Sequence, residues 1–387
     1  MALTKAKVSF LEGLDGAVLT GAMPALDGSS LTGIAGMTKV TSDPALNTNP
    51  SSGVGTLWVN KSSGEMFVCK DATSNNNVWV NIGGGSGDVG KCFGGLGGGT
   101  VKGWQMGGAQ ASVLSMIQSY PYASNANASN VATLQNNGSQ PTGNSSATHG
   151  YKCGGSNATI DKFTFSTSSN AAQIGTLVMG SATGGSCSVG SKTHGYICGG
   201  FGSGGEVTNI DKVAYASDGN STAVGILERR NYHQAGSASA THGYNAGGQK
   251  GNTFYSSRVR MPMASDSNMV DIGDMARGIC SYTTGETSET HGYISGGVLV
   301  AGFSSPTTSI EKYSFSSDIS SINVAELTVA RIKGSSSSST TNGYHCGGHD
   351  TSNASNVMDK FPFASDTNAT DIGDMNQASS GGASAQF

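Results

Sequence analysis

Four histidines recur at regular spacing and are the residues most suited to binding a metal ion. Each lies in a Thr-His-Gly-Tyr segment, and they are His149, His194, His242 and His291. Metal ligands must converge on one point, and no closely spaced ligand pair occurs within any copy of the segment. The last copy has Asn342 in place of histidine. Because an amide can replace imidazole in a hydrogen bond, we expect a repeated structural hydrogen bond here and predict no metal site.

Two acidic segments offer oxygen ligands of the kind that calcium prefers. They are SDSNMVDIGD (residues 265–274) and SDTNATDIGD (residues 365–374). Both lack the glycine and the terminal glutamate of an EF-hand loop. Asp, Asn and Gly are also the common residues of hairpin turns. Hairpin turns are therefore the prediction, with calcium binding as the open alternative, and the sequence indicates no cofactor.

Seven cysteines could form disulfides or hold zinc, and they are Cys69, Cys92, Cys153, Cys187, Cys198, Cys280 and Cys346. The odd number and the absence of any CxxC pair argue against both roles. Three of them, at 153, 198 and 346, share one repeat position that Ala246 and Ser295 occupy elsewhere. The pattern predicts a small buried side chain at this position.

Catalysis on a repetitive scaffold needs an asymmetric cluster, such as paired carboxylates or a nucleophile with its base. The acidic residues here mostly recur at turn positions, so we predict no catalytic residue and no enzyme. The segment ERRNYHQ (residues 228–234) occurs only once and is a candidate surface-binding loop. Its side chains suit a carbohydrate or an acidic surface, and a solvated loop is the alternative for each. They are Arg229, Arg230, Tyr232 and His233.

The elements that position these residues repeat about every 50 residues. A Gly-aromatic-x-x-Gly-Gly step occurs six times, and its leading glycines are separated by 47, 45, 48, 49 and 51 residues. Each step precedes a strand pattern with large apolar first and third residues, such as FTFSTS (163–168), and then a short apolar element, such as VGIL (224–227). A Ser/Gly/Ala-rich stretch leads into the next copy. Four short strands per repeat of this length are typical of a propeller blade.

The end of the chain falls where the first copy needs another strand. After Met375 only NQASSGGASAQF (376–387) remains, which stops about where a new Gly-aromatic step would begin. We therefore expect the C-terminal residues to complete the blade of the first copy, GWQMGG (103–108), or to lie directly against it. Either arrangement would leave few open strand edges.

The order of these elements resembles kelch repeats over residues 92–387. Arg277 and Arg331, just after the short apolar element, fit the kelch pattern, although the tryptophan usual later in a kelch unit is absent from every copy. The resemblance implies a six-bladed kelch-like β-propeller. It implies little about function, because propellers host many activities.

Residues 1–91 differ from the repeats. The phrases PALDGSSLTG (24–33) and LWVNKSSGEMFVC (57–69), followed by VWVN, resemble the N-terminal parts of phage tail-fibre and virion proteins. We expect an extended virion-attachment segment (1–50), a small β-hairpin module (51–82), a Gly-rich linker (83–91) and the propeller (92–387). The pattern around 55–71 predicts a hairpin, and 75–85 adds a third strand.

Composition and charge restrict the classes of function. Only 12% of residues are charged, the net charge is −4, and no basic stripe is present, so nucleic-acid binding has no support. No apolar run approaches the roughly 18 residues of a membrane-spanning helix. The first 21 residues do not follow a signal-peptide pattern, so we expect synthesis in a host cytoplasm.

Together, these observations predict an all-β protein with a small, partly extended N-terminal β attachment region and a six-bladed propeller. The resemblance implies a phage virion structural protein, most simply a homo-oligomeric tail or head fibre. Residues 1–82 would contact other virion proteins, and the propeller loops would bind host glycan or protein. A capsid- or tail-decorating protein and a carbohydrate-active propeller enzyme are the alternatives.

Overall fold

A computed structural model describes residues 37–62, 64–82, 99–167, 169–180, 184–202, 204–278, 280–299 and 305–387. Contacts divide the chain into two units, Met1–Gly90 and Lys91–Phe387. Every regular element in the described ranges is a strand, which confirms the all-β class. Most of the expected attachment segment, the whole expected linker and Cys92 lie outside the described residues.

In the smaller unit, the described residues form one four-stranded sheet. Its strands are β1 (Met37–Val40), β2 (Leu57–Asn60), β3 (Met66–Asp71) and β4 (Val78–Asn81). The predicted hairpin is confirmed by the antiparallel pairing of β2 with β3, and β4 is the predicted third strand. The parallel pairing of β1 with β2 was not predicted from the sequence. Phe67, Cys69 and Trp79 form the core of this sheet.

The described residues of the larger unit form 28 strands, from β5 to β32. The first are β5 (Lys102–Met106), β6 (Met116–Pro121), β7 (Ser129–Thr133), β8 (Thr142–Ser145), β9 (His149–Cys153), β10 (Thr159–Thr164) and β11 (Ala172–Thr176). Next come β12 (Cys187–Gly190), β13 (His194–Cys198), β14 (Phe201–Gly202), β15 (Gly205–Glu206), β16 (Asn209–Ala214) and β17 (Thr222–Ile226). They are followed by β18 (Ala235–Ala238), β19 (His242–Ala246), β20 (Gln249–Lys250), β21 (Thr253–Phe254), β22 (Ser257–Pro262) and β23 (Val270–Asp274). The last are β24 (Thr284–Thr287), β25 (His291–Ser295), β26 (Ser309–Ser314), β27 (Ile322–Glu326), β28 (Ser335–Ser338), β29 (Asn342–Cys346), β30 (Val357–Pro362), β31 (Thr370–Asp374) and β32 (Ala383–Gln386).

Six antiparallel four-stranded sheets account for most of these strands. In spatial order, sheet 1 is β32-β5-β6-β7, sheet 2 is β8-β9-β10-β11 and sheet 3 is β12-β13-β16-β17. Sheet 4 is β18-β19-β22-β23, sheet 5 is β24-β25-β26-β27 and sheet 6 is β28-β29-β30-β31. The remaining strands form two small hairpins, β14–β15 and β20–β21.

The sheet boundary differs from the expected repeat boundary. The Ser/Gly/Ala-rich stretch comes last in each sequence repeat, but it forms the first strand of the next sheet. The reason is local, because only residues 146–148 separate β8 from β9, whereas residues 177–186 separate β11 from β12. The short connection forms a hairpin between the small-residue strand and the Thr-His-Gly-Tyr strand.

The repeated glycines have two structural causes. A Cβ on Gly150, before the repeat tyrosine, would lie 2.3 Å from the Phe163 ring on the neighbouring strand. The following pair, Gly154 and Gly155, has φ angles of 67° and 100°, a conformation that L side chains rarely adopt. The step therefore recurs because each sheet needs close packing at its second strand and a left-handed turn after that strand.

Contacts between the first strands pass from sheet to sheet and return to their starting point. Strand β8 contacts β12, and the contacts continue through β18, β24, β28 and β32 back to β8. The expectation for the C-terminus is confirmed, since β32 pairs antiparallel with β5, with Ala385 opposite Trp104. The last residues of the chain thus complete the sheet of the first copy.

Charged pairs join the third strand of one sheet to the turn of the next. Their partners are Lys162 with Asp218, Lys212 with Asp266, Arg260 with Asp318, and Lys312 with Asp366. In sheet 6, Lys360 donates to Asn125 of sheet 1 at 2.6 Å. Between sheet 1 and sheet 2 the sequence has neither charge, because serines, Ser119 and Ser168, occupy the two corresponding positions.

Candidate functional site: an axial cavity and its rim

Six residues occupy one equivalent position, two residues before the first strand of each sheet, and we call them the rim residues. They are Gln140 (φ 57°), Gly185 (68°), His233 (59°), Tyr282 (59°), Lys333 (54°) and Gly381 (63°). Left-handed backbone is normal for glycine but costs other residues roughly 1 kcal/mol or more each. Four rim residues nevertheless carry large polar side chains. Retained strain of this kind concentrates at functional sites.

Backbone hydrogen bonds connect the rim residues of successive sheets. Each amide donates to the preceding rim carbonyl: Gly185 to Gln140 (3.0 Å), His233 to Gly185 (2.6 Å), Tyr282 to His233 (2.9 Å), Lys333 to Tyr282 (3.0 Å) and Gly381 to Lys333 (2.6 Å). At the sixth step the neighbours touch, because a Cβ on Gly381 would lie 2.7 Å from Cγ of Gln140. The rim residues thus form a circuit.

The rim side chains lie over their neighbours in one rotational sense. The His233 imidazole covers Gly185, where a Cβ would approach Cδ2 to 2.5 Å, and its Nε2 is hydrogen-bonded to Gln140 Oε1. Tyr282 stacks on His233 with ring centroids 3.8 Å apart. Lys333 Nζ lies 4.9 Å from the centroid of the Tyr282 ring. The imidazole, phenol and ammonium groups of these three rim residues therefore lie next to one another.

Burial changes the ionisation of these groups. It lowers the pKa of His233 well below the ordinary histidine value, and the charge of Lys333 acts in the same direction. The imidazole is therefore neutral at pH 7. Burial also lowers the pKa of Lys333 and raises the pKa of Tyr282 to about 12. The tyrosine hydroxyl thus remains a hydrogen-bond donor at neutral pH.

The rim opens into a cavity of about 160 Å³, which we call the axial cavity, lined by residues from all six sheets. The lining includes a small residue from the same position of every first strand, and these residues are Gly143, Ser188, Gly236, Gly285, Ser336 and Ser384. The strands approach closely there, since a Cβ on Gly236 would lie 2.3 Å from the carbonyl oxygen of Ser188. None of the described residues that line the axial cavity is Asp or Glu.

Two buried side-chain atoms among the described residues of the lining have no hydrogen-bond partner. One is Nδ1 of His233, and the other is the hydroxyl of Thr283, a residue that is only 7% exposed. Buried polar groups are nearly always hydrogen-bonded to protein, water or ligand. The wall of the axial cavity therefore holds unused hydrogen-bonding capacity just beneath its surface.

A side groove of about 370 Å³ adjoins the axial cavity and shares Gln140 and His233 with it. Its aromatic wall consists of Phe201, which is 49% exposed, and Tyr232. The centroids of these two rings are 5.8 Å apart, and the Tyr232 ring is 4.5 Å from the His233 ring. Aromatic surface thus extends from the outside of the unit to the rim.

Below the rim, a buried polar cluster connects to the cavity through Thr284. The Ser295 hydroxyl donates to Glu286 Oε1 at 2.7 Å and lies 2.8 Å from Nδ1 of His345. Thr284 lies 3.0 Å from the same nitrogen. Burial raises the pKa of Glu286 to about 8 and lowers that of His345 well below its usual range. Both groups are therefore mainly neutral at pH 7.

The structure divides the four predicted loop residues. Tyr232 and His233 belong to the side groove and the rim. Arg229 instead pairs with Glu228 at 3.1 Å and covers the Tyr255 ring, while Arg230 is exposed. Gln140, Tyr282 and Lys333 were not predicted. An alignment of the six repeats with one another would have identified these residues. At their shared position, two repeats have glycine and four have a large polar residue.

The four histidines of the Thr-His-Gly-Tyr segments, here called the regular histidines, begin the second strand of their sheets. They therefore lie at the opposite end of the hairpin of first and second strands from the rim residues. Nδ1 of each histidine is hydrogen-bonded to the hydroxyl group of the preceding threonine. In the first copy, Thr148 Oγ1 and His149 Nδ1 are 2.7 Å apart. Asn342 donates to Thr341 at 2.7 Å, which confirms the interchangeable hydrogen bond. Among the residues that the structure describes, no group of three His, Cys, Asp or Glu side chains is arranged to hold a metal ion.

The remaining candidates have structural roles. Residues 263–269 and 363–369 connect antiparallel strands, as expected of hairpin turns. Asp271 and Asp371 lie in the strands that follow and accept the amides of Gly273 at 2.9 Å and Gly373 at 3.0 Å. The six described cysteines are free and buried, and the predicted small buried position is confirmed at 153, 198 and 346. The described residues include no helix of the length and hydropathy needed to span a membrane.

Comparison with known proteins supports the fold alone. No family model and no curated protein matches the sequence. A solved structure described as "Structure of YjhT" is similar, with a TM-score of 0.55 and 11% sequence identity over 63% of this chain and 86% of that one. At this identity the likeness concerns only the arrangement of the backbone.

Proposed function

We propose that residues 92–387 form a six-bladed kelch-like β-propeller and that the protein is a phage virion component whose propeller binds the host surface. The six sheets would be the blades, and their first strands would surround the axis. The return of first-strand contacts to β8 supports this arrangement. So does the pairing of β32 with β5, which would close the last blade onto the first.

Two buried arginines support the kelch-like assignment. Arg331 donates to Asp359 at 2.7 Å, and Arg277 donates to Glu311 at 2.6 Å. Both also donate to backbone carbonyl groups of the second strand of their sheet or of the turn after it. The repeated arginine of the sequence pattern would thus connect strands within each of these blades.

The observation that carries the binding role is the rim. Four strained, polar rim residues surround one cavity, whereas glycine at the same position in two sheets shows that the fold itself needs no side chain there. A rigid ring that displays such residues can present them to a ligand with little ordering entropy. Copies of the protein on one virion would add avidity.

The proposal is tested by binding of the labelled full-length chain to a panel of candidate host bacteria. We expect saturable binding to some strains and not to others. A variant with Gln140, His233, Tyr282 and Lys333 all changed to glycine should lose at least tenfold in affinity. It should still fold, because glycine relieves the backbone strain.

The matched control changes the four regular histidines, 149, 194, 242 and 291, to asparagine, as nature has done at Asn342. This variant alters the opposite end of the sheets and should bind as the wild type does. Absence of saturable binding by folded wild-type protein would contradict the adhesive role and favour a decorating protein. Loss of binding in the control variant alone would assign adhesion to the other end.

A further inference from the structure

The axial cavity and its side groove have a chemical bias that suggests a ligand class. The cavity contains one ammonium group, Lys333, and no acidic residue among the described residues that line it. Its other polar groups are amide, imidazole and hydroxyl groups, several of them from serine and threonine. A site with this lining favours a ligand that carries negative charge and hydrogen-bonding oxygens.

The shape adds a second constraint. The axial cavity, at about 160 Å³, admits a small ring-sized group but not a peptide chain or a nucleic acid. The neighbouring groove has an exposed aromatic wall in Phe201 and Tyr232, which suits the apolar face of a sugar ring. A ligand with one charged unit and further neutral rings would fit both.

We propose that the axial cavity binds the carboxylate-bearing sugar unit of an acidic saccharide, with the adjacent sugar lying on Phe201 and Tyr232. Lys333 receives the carboxylate. The hydroxyl of Thr283 and Nδ1 of His233 are buried in the cavity wall without a hydrogen-bond partner, and they bind sugar hydroxyl groups after a small movement of these side chains on binding. This inference deepens the proposed host-binding function and rests on it.

The test titrates the full-length chain with glucuronate, glucose and acetate, and follows binding by calorimetry or ligand-observed NMR. We expect glucuronate to bind at least tenfold more tightly than either other ligand. Equal binding of glucose would overturn the role of the carboxylate. Equal binding of acetate would overturn the saccharide assignment.

The variant is Lys333→Gln, which removes the charge and places at the rim a residue that Gln140 shows the position accepts. We expect at least a tenfold loss of glucuronate affinity. The control is Lys250→Gln, a charge removal at an exposed lysine that does not line the cavity, and it should change affinity less than twofold. Thermal unfolding of both variants verifies that they fold.

A second variant, Thr283→Val, removes only the hydroxyl and should weaken glucuronate binding severalfold. Unchanged glucuronate affinity in both Lys333→Gln and Thr283→Val would overturn the site. Cell binding by wild type, lost in the glycine rim variant but not competed by glucuronate-containing saccharides, would overturn the ligand class and leave the host-binding function intact.

Discussion

Glu286 is an acidic residue that the fold buries almost completely. It is 1% exposed, and its Oε1 accepts from Ser295 and Thr284, but Oε2 has no partner. Burial raises the pKa of its carboxyl group to about 8. The folded state therefore holds a proton that the unfolded chain releases near pH 4.5. Its contribution to stability is complete below that pH and is lost as pH rises towards 8.

The variant Glu286→Gln keeps the shape and removes this titration. Between pH 5.5 and 7.5, we expect the free energy of unfolding of the wild type to fall by about 2 kcal/mol relative to the variant, since each pH unit contributes up to about 1.4 kcal/mol. Denaturant unfolding at several pH values measures the difference. The regular histidines titrate in both proteins, so their contribution to the pH dependence cancels in the comparison. Parallel stability curves would show that Glu286 is already ionised when folded.

Between neighbouring sheets, the lysine and aspartate pairs act as repeated connectors. In the Lys212–Asp266 pair, the nitrogen and oxygen atoms are 2.9 Å apart, and the side chains are 20% and 43% exposed. Such partly exposed pairs contribute about 0.2–1 kcal/mol each. Both charges are absent together at Ser119 and Ser168, whereas Lys360 keeps its cation opposite Asn125, which still accepts a hydrogen bond from it.

A charge exchange tests this coupling. Asp266→Lys places two cations together and should reduce stability by about 1 kcal/mol, and adding Lys212→Asp should restore at least half of the loss. Chemical denaturation at low and at high salt provides the measurement, with the effect smaller at high salt. If the double variant is no more stable than Asp266→Lys alone, the two residues do not act as a pair.

The sequence predicted the strands better than it predicted the site. The recurring aromatic and glycine residues determine which segments pair, and the hairpin at β2–β3 follows from a local turn. Strand β1 was missed because a parallel partner leaves no signal in neighbouring residues. The rim was missed because left-handed backbone at Gln140, Tyr282 and Lys333 arises from the sheet geometry, while these residue types prefer other conformations.

At the scale of the whole larger unit, the C-terminal strand is the connection on which the proposed ring depends. Strand β32 pairs with β5, contacts β8 and β28, and buries Ala383 and Ala385. The following Phe387 stacks on Phe165 of sheet 2, with ring centroids 5.4 Å apart. Without β32, the edge of β5 would be open and sheets 1, 2 and 6 would lose a shared neighbour.

Truncation after Met375 should therefore destabilise the entire larger unit and not only sheet 1. We expect the melting temperature to fall by about 10 °C or more, because several buried backbone hydrogen bonds and apolar contacts are lost together. A synthetic peptide of residues 376–387, added in excess, should restore much of the loss by pairing with β5, while a peptide of the same composition in scrambled order should not. A truncated protein that melts at the wild-type temperature would show that the sheets are stable without closure, and the six-bladed ring would lose its main support.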